Sequence, residues 1–274
     1  MRSFVLVCLV ACGSSSDPPP DHAKIFGAAR PATLSAPSGF DDAKSYPLLM
    51  VLHGYGANGF VQSAFFGVSG LAAAGEAFVI APDGLTDSTG KQYWNADPVC
   101  CDLDHTGVDD STYLGTMLDD IMKSWPEIDP ARVYVLGHSN GGFMSYRLAC
   151  DHADTIAAIG VLAGDATTTP CEPSQGVNVL HMHGTADDVI PYSGAEPSVA
   201  NWAGYNGCGA TRHTTGSADF ISTVAGDETT LATQDGCPAG ADVELWSMAG
   251  GGHIPSLTPA FEPALWAWFG AHHR

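Results

Sequence analysis

The feature that most constrains this chain is the pentapeptide Gly137-His138-Ser139-Asn140-Gly141. An apolar run at 133–136 precedes it, and a stretch with helical composition at 142–149 follows it. A serine at such a strand-to-helix turn is typical of a nucleophile elbow, in which a strained backbone exposes the hydroxyl group. Glycines flank the turn because a Cβ there would clash. The alternative is a tight turn without chemistry, and the downstream partners described below count against it.

Further apolar runs predict the rest of a sheet, at 48–52, 78–81, 156–162, 177–182 and 243–248, with a weaker edge strand at 29–36. Apolar residues at helical spacing predict helices near 60–74, from 109 to just before Pro126, and near 195–204. Strands that alternate with helices predict a mostly parallel twisted sheet with helices on both faces. After the helix near 195–204, a loop is expected up to residue 240.

Length and charge limit the possible classes of protein. The chain has 274 residues, and we expect one catalytic domain over 21–274 that acts as a monomer. The formal net charge of −20 repels phosphate backbones, which argues against nucleic-acid binding. No phosphate-loop or dinucleotide fingerprint occurs in the sequence, so no cofactor is expected.

Residues 1–20 have the features of an export segment. Met1-Arg2 is followed by a short apolar stretch at 3–11, and 9–12 resembles a bacterial lipobox that would make Cys12 a lipidated residue. The Ser/Pro-rich stretch 13–20 predicts a flexible tether. The alternative is an ordinary secretory signal peptide. Both interpretations place the protein outside the cytoplasm, freely secreted or tethered to a membrane through Cys12.

The number of cysteines is consistent with a location outside the cytoplasm. An even number follows the export segment: Cys100, Cys101, Cys150, Cys171, Cys208 and Cys237. Three disulfides are expected, and Cys208 with Cys237 is the first prediction, since they bracket one Gly/Thr-rich stretch. The adjacent Cys100 and Cys101 are expected to pair outward, one of them with Cys150. Zinc is the alternative, but no C-x-x-C spacing supports it.

Partners for the serine follow two later strands. A serine hydroxyl needs a base to accept its proton and an acid to orient that base. We predict Asp187, which follows the strand at 177–182, as the acid, with Asp188 as the alternative. His253 follows three glycines after the strand at 243–248 and is the predicted base. His181 and His183 share one strand face and suit zinc, but without a third ligand we favour packing and predict no metal site.

The remaining site residues concern the oxyanion and the substrate. Two backbone N–H groups are needed for the oxyanion, and we predict those of Asn140 and Tyr55, with Gly56 as the second choice. The side chain of His138 is expected to point away from the serine. Four aromatic residues are predicted to line a partly open cleft, although core or rim packing is an equal alternative: Tyr93, Trp94, Tyr192 and Trp202.

Several motifs together resemble the polyhydroxybutyrate depolymerase-type esterases, a group that includes secreted feruloyl and acetyl xylan esterases. The motifs span nearly all of the expected domain: Leu52-His53-Gly54, Tyr93-Trp94-Asn95-Ala96, Cys100-Cys101, Val108-Asp109-Asp110, Gly137 to Gly142, Tyr146 to Cys150, His183 to Asp187 and Gly250 to His253. The resemblance implies an α/β-hydrolase fold and a serine esterase with Ser139, Asp187 and His253 as its triad. The sequence departs from many relatives at Ile254, where they have an aromatic residue.

The leading hypothesis is therefore an exported serine carboxylesterase that forms an acyl-enzyme from a small or polymeric ester. One alternative is an exopeptidase, because 183–187 also resembles relatives of prolyl oligopeptidase. The sequence has no insertion large enough for an accessory domain that would gate peptides, which counts against it. A second alternative is an inactive, surface-anchored binding module, against which the intact order of the triad counts.

Overall fold

A computed structural model of the protein describes residues 22–166 and 171–274. The predicted export segment, its tether and Cys12 lie outside the described residues. Within those two ranges, no helix combines the length and the hydropathy that crossing a bilayer requires.

The strands and helices alternate through most of the described chain. The strands are β1 (Ile25–Phe26), β2 (Ala32–Thr33), β3 (Tyr46–Leu52), β4 (Phe78–Ile80), β5 (Leu85–Thr86), β6 (Gln92–Tyr93), β7 (Ile128–His138), β8 (Ala158–Leu162), β9 (Asn178–Gly184), β10 (Arg212–Ala218), β11 (Thr229–Gln234) and β12 (Val243–Met248). The helices are α1 (Gly59–Phe66), α2 (Leu71–Ala74), α3 (Asp110–Ser124), α4 (Asn140–Asp151), α5 (Ala195–Asn206) and α6 (Phe261–Ala271).

Eight of these strands form the central sheet, in the order β10-β11-β12-β9-β8-β7-β3-β4. All neighbours from β12 to β4 pair in parallel, whereas β10 and β11 are antiparallel. The parallel strands β3, β8 and β9 are buried along their whole length, as expected where both faces of a sheet are covered. The predicted mostly parallel sheet is confirmed.

Helices cover both faces of this sheet and divide the core into two clusters. On one face, α3, α4 and α5 contribute Leu118, Met144 and Trp202. On the other face, α1, α2 and α6 contribute residues such as Phe66 and Phe269. The single helix predicted near 60–74 is broken after α1, because Gly67 has a left-handed φ of 80° that ends the helix.

The hairpin formed by β10 and β11 corrects one sequence-based expectation. The region after α5 was predicted to be a loop, yet these two strands extend the sheet at its edge. Most residues of β10 are exposed or half-buried, and threonine and glycine replace the apolar residues that would mark a core strand. Without an apolar face, the usual alternation that reveals a strand is absent from this stretch.

Disulfide pairing follows the prediction in one case and departs from it in another. Cys208 pairs with Cys237 and thereby closes the base of the β10–β11 hairpin, which is the predicted pairing. Cys100 and Cys101 pair with each other rather than outward. The predicted link to Cys150 is wrong because this residue, near the end of α4, pairs with Cys171 in the segment before β9.

Candidate active site

Ser139 stands at the turn between β7 and α4 in a strained backbone conformation. Its φ of 53° and ψ of −122° are unusual for a residue with a side chain, as expected for a nucleophile elbow. A Cβ at Gly137 would lie 2.1 Å from the carbonyl oxygen of Gly141, and one at Gly141 would lie 2.2 Å from that of Leu52. The flanking glycines are therefore required by close backbone contacts, and α4 directs its N-terminus at the serine.

The structure brings Ser139, Asp187 and His253 together. Nε2 of His253 lies 2.9 Å from Oγ of Ser139, and Nδ1 lies 2.8 Å from Oδ2 of Asp187. Because an ionised carboxylate only accepts, Nδ1 carries the ring proton and Nε2 is free to accept the serine proton. The arrangement has the geometry of a nucleophile, a general base and an orienting acid. Asp188, the alternative acid, is exposed to solvent.

Two adjoining loops carry the acid and the base. The loop after β9 bears Asp187, and the loop after β12 bears His253. The backbone N–H of Ala186 donates to the carbonyl of Gly251 over 2.9 Å. A Cβ at Gly184 would lie 2.2 Å from that same carbonyl oxygen, so the two loops are in backbone contact. This contact sets the spacing between the predicted acid and the predicted base.

The surroundings of Asp187 keep its carboxyl group ionised. Burial alone would raise its pKa, but the bond from His253 and two backbone N–H donors lower the pKa by more, so that it ends below its ordinary value. These donors are Val189 and Ile190, both bonded to Oδ1 at 2.8 and 2.9 Å. The negative charge faces the imidazole that would become positive in proton transfer.

The two predicted oxyanion donors are backbone N–H groups close to Ser139 in the chain or in the cavity lining. Asn140 is the first residue of α4, and Tyr55 lies in the loop that follows β3. No described residue accepts a hydrogen bond from either N–H group, so both remain free for a ligand. Gly56, the second choice, donates its N–H to the carbonyl of Gln92 over 2.8 Å and is thereby occupied.

The comparisons with known proteins find similarity to esterases. No protein-family model matches the chain. It is 29% identical to feruloyl esterase B of Piromyces equi over 82% of this chain and 42% of that protein. It is 28% identical to a bifunctional acetylxylan esterase/xylanase of Neocallimastix patriciarum over 86% of this chain and 32% of that protein. The chain thus spans less than half the length of these curated relatives.

Solved structures of similar fold include the acetyl xylan esterase from Aspergillus awamori. Its TM-score is 0.65 at 15% identity, over 92% of this chain and 97% of that chain. The carboxylesterase of Bacillus cereus gives a TM-score of 0.58 at 16% identity, over 88% and 93% of the two chains. The fold is that of the α/β-hydrolases. The family resemblance seen in the sequence motifs is confirmed by these esterase relatives.

Trp94 was predicted to line a substrate cleft, but the structure buries it fully. Its backbone N–H and C=O both pair with the side-chain amide of Asn140, at 2.7 and 2.9 Å. Its indole Nε1 donates to the carbonyl of His53 over 3.1 Å. Trp94 therefore joins the loop of Tyr55 to the start of α4. We expect it to hold these two segments in place rather than to contact the substrate.

The other three aromatic residues are not among those that line the cavity at Ser139. Tyr93 is fully buried, and its hydroxyl bonds to Asp102 and Thr106 in the following loop. Trp202 is buried in the core against α4. Tyr192 is half-buried, and its hydroxyl bonds to Ser247 over 2.6 Å. Core packing, the alternative for these aromatic residues, describes Tyr93, Trp94 and Trp202, and rim packing describes the half-buried Tyr192.

A cavity of about 170 Å³ opens beside Ser139 and His253. Its apolar walls are Ala57, Val61, Phe65 and Ile254. Val61 and Phe65 lie four residues apart on α1 and therefore share one face of that helix. Ile254 is 69% exposed at the rim, where many relatives implied by the sequence resemblance have an aromatic residue. This small, uncharged cavity suits an apolar group of an ester.

Sequence reasoning missed the position of His138. Its ring lines the same cavity, and its Nε2–H donates to the carbonyl of His253 over 2.9 Å. Burial, with the neighbouring His253 as a smaller cause, lowers the pKa of His138 to about 4, so the ring is neutral at physiological pH. Its ring holds the backbone of the predicted base, a role that the sequence-based expectation did not include. The available signal for this role in the sequence was that a histidine directly precedes Ser139 in the elbow.

Proposed function

We propose that this protein is an exported serine carboxylesterase whose catalytic domain spans 21–274. The observation that carries the proposal is the unbroken pair of contacts from Ser139 through His253 to Asp187, at 2.9 and 2.8 Å. These contacts join a nucleophile, a base and an orienting acid in the order that activates a hydroxyl group. The esterase relatives support the choice of esters as substrates.

The reaction proceeds through an acyl-enzyme. Oγ of Ser139 forms a bond to the ester carbonyl carbon while its proton passes to Nε2 of His253. The oxygen of the tetrahedral intermediate receives hydrogen bonds from the N–H groups of Asn140 and Tyr55. The intermediate collapses as His253 returns the proton to the departing alcohol. Water then attacks the acyl-serine by the same route and releases the acid, so that Ser139 regains its proton.

Two features favour an uncharged substrate with an apolar group near the serine. The walls contributed by α1 and by Ile254 present hydrocarbon rather than charge. The net charge of −20 disfavours an anionic ester. Aromatic acyl esters, acetylated xylan and aliphatic polyesters all meet this condition. A panel of methyl ferulate, acetylated xylan and polyhydroxybutyrate would rank them.

The proposal is tested by hydrolysis of a short p-nitrophenyl ester. We expect Ser139→Ala to lose activity by on the order of 10³-fold or more, because nothing nearby replaces the nucleophile. Ser193→Ala, which changes an exposed serine before α5, is the matched control and should keep full activity. Equal rates in the wild type and in Ser139→Ala would contradict the proposal. Cleavage of peptides but not esters would indicate the exopeptidase instead.

Export and attachment are a separate part of the proposal. The lipobox-like stretch before Cys12 and the three disulfides support a position outside the cytoplasm. We propose that lipidated Cys12 tethers a monomeric enzyme to a membrane. Expression of the full chain and of Cys12→Ser, followed by fractionation, tests this: the wild type should sediment with membranes, and the variant should not. Membrane association of both would rule out the lipid at Cys12 as the anchor.

A further inference from the structure

A chain of hydrogen bonds runs through the core to the carboxylate of Asp187. The hydroxyl of Tyr146, on α4, lies 2.7 Å from Nδ1 of His181. Nε2 of His181 lies 3.1 Å from Nδ1 of His183, two residues further along β9. Nε2 of His183 lies 2.9 Å from the carbonyl oxygen of Ile190. All three side chains are fully or almost fully buried.

With neutral rings, the bond to Ile190 fixes the direction of every other bond in the chain. A carbonyl oxygen only accepts, so Nε2 of His183 must carry a proton. With that proton fixed in a neutral ring, Nδ1 of His183 accepts, and Nε2 of His181 is its donor. Nδ1 of His181 then accepts from the hydroxyl of Tyr146. Each donor in the chain meets one acceptor, and both imidazoles are neutral.

The alternative charge state leaves one donor unsatisfied. If His183 were an imidazolium, His181 would have to accept at Nε2 and donate from Nδ1 to the oxygen of Tyr146. The hydroxyl proton of Tyr146 would then find no acceptor among the described residues. A buried donor without a partner is costly. Burial also lowers the pKa of His181 and raises that of Tyr146, and both shifts favour the neutral forms.

The chain ends at the acid of the triad. Nε2 of His183 lies 3.3 Å from Oδ2 of Asp187, the same oxygen that accepts from His253. The carbonyl that His183 binds belongs to Ile190, whose own N–H bonds Oδ1 of Asp187. His183 thus contacts the carboxylate directly and also holds the residue that fixes its other oxygen.

We propose that His183, kept in one tautomer by His181 and Tyr146, is a positioning residue that holds the Asp187 carboxylate toward His253. The inference rests on the proposed function, since it assigns Asp187 to the triad. His183 touches no reacting atom and acts through Asp187.

Other charged and titratable groups surround this chain. Asp165, which follows β8, has a burial-raised pKa and lies near His183 and Asp187, and Arg212 of β10 acts on His181. His138 and His253 face Asp187 from the elbow side. Uncharged rings fill the remaining space, with Tyr192 edge-on to His183 and Trp202 stacked on Tyr146. These groups are unchanged in the variants below.

Kinetics of two substitutions at one position test the positioning role. In His183→Leu the donor is lost, and we expect kcat to fall by on the order of 10²-fold with KM nearly unchanged, because the carboxylate can turn away from His253. The acid limb of the kcat/KM profile should move to lower pH, since the imidazolium of His253 loses its stabilising charge. His183→Gln keeps an N–H donor at the place of Nε2. It should therefore have nearly the wild-type kcat and an acid limb at the wild-type pH.

Some outcomes would overturn the proposal. A uniform drop in rate with an unmoved acid limb would reduce His183 to a packing residue. A shift of that limb to higher pH would mean that His183 withdraws charge from Asp187 rather than holding it in place. Equal loss in His183→Gln and His183→Leu, with both folded by circular dichroism, would also overturn it.

A second measurement does not depend on catalysis. Nitrogen-15 spectra of the imidazole rings distinguish protonated from unprotonated nitrogens. We expect both His181 and His183 to carry their proton on Nε2 at neutral and mildly alkaline pH, in the wild type and in Ser139→Ala alike. An imidazolium at His183, or a proton on Nδ1 of either ring, would overturn the inference even if the protein hydrolyses esters. The expected tautomers in a protein without esterase activity would instead count against the proposed function alone.

Discussion

The two sides of the serine are held in place by different means. On the acid–base side, backbone contacts between the loops after β9 and β12 fix Asp187 and His253, and the buried His183 contacts the carboxylate of Asp187. On the side of the predicted oxyanion donors, one buried residue, Trp94, joins the loop of Tyr55 to the first residue of α4, through its indole N–H to His53 and its backbone to the side chain of Asn140. The positions of Asp187 and His253 depend on neighbouring strand ends. The positions of Asn140 and Tyr55 depend on a residue distant in sequence. We expect substitutions on the two sides to have distinguishable kinetic signatures.

The largest effect is expected on the acid–base side. Asp187→Asn keeps the shape of the side chain but removes the charge that orients and stabilises His253, so kcat should fall by on the order of 10⁴-fold. Asp188→Asn, at the exposed neighbour, should keep its activity and is the matched control. Steady-state kinetics on a p-nitrophenyl ester measure both. A larger loss of kcat in Asp188→Asn than in Asp187→Asn would show that Asp188, not Asp187, is the acid that orients His253.

The second prediction concerns the pH dependence of stability through His138. Its pKa is about 4 in the folded protein, whereas an unfolded histidine has a pKa of 6.5. As the pH falls below about 6.5, the unfolded chain binds the proton first, and stability is lost down to about pH 4. The free energy of unfolding should therefore fall by up to about 3 kcal/mol across this window. Urea titrations at several pH values measure it.

The control for this prediction is His138→Gln, which keeps a donor for the carbonyl of His253 but cannot titrate. Its loss of stability between neutral pH and pH 4 should be smaller than that of the wild type by the same amount. Equal slopes in the two proteins would show that other groups account for the acid sensitivity.

On the oxyanion side, Asn140→Ala keeps the backbone N–H but removes the amide that holds Trp94. We expect kcat to fall by on the order of 10²-fold, as for a displaced oxyanion donor, with little change in KM. Tyr93→Phe is the matched control, because its hydroxyl bonds only to the loop residues Asp102 and Thr106 among the described residues. If Asn140→Ala moved the acid limb of the pH profile, the proposed separation between the two sides would fail.

The smallest effect on activity is expected from the disulfide between Cys208 and Cys237. It closes the β10–β11 hairpin at the edge of the sheet, and neither cysteine borders the cavity at Ser139. The double substitution to alanine should lower the free energy of unfolding by about 2 kcal/mol or more while kcat stays unchanged. Thermal unfolding and ester hydrolysis on the same sample measure both quantities. A parallel loss of kcat would connect the edge hairpin to the site.

The same difference between the two sides explains what the sequence could predict. The elbow, the strand runs and the order of Ser139, Asp187 and His253 are local patterns, and parallel strands deliver their ends to one edge of the sheet. The mostly parallel sheet with two helical layers was therefore predictable. His253 could be selected among the histidines because three glycines precede it after a strand.

The aromatic residues and cysteines could not be placed by the same reasoning. Trp94 resembles a cleft residue in sequence, but its burial depends on Asn140 and His53, each more than 40 positions away. The pairing of Cys150 with Cys171 depends on where α4 ends relative to β9, which spacing does not reveal. The β10–β11 hairpin lacks an apolar face and is recognised only when it pairs with β12.

The contact between Gly184 and Gly251 limits how this catalytic arrangement can change. With no space for a methyl group between the two loops, the acid and the base behave as one rigid unit. Neither can be shifted toward a differently shaped ester without moving the other. New substrate preferences, whether acquired in evolution or by engineering, are therefore expected to come from the apolar wall of the cavity that Val61 and Phe65 of α1 form.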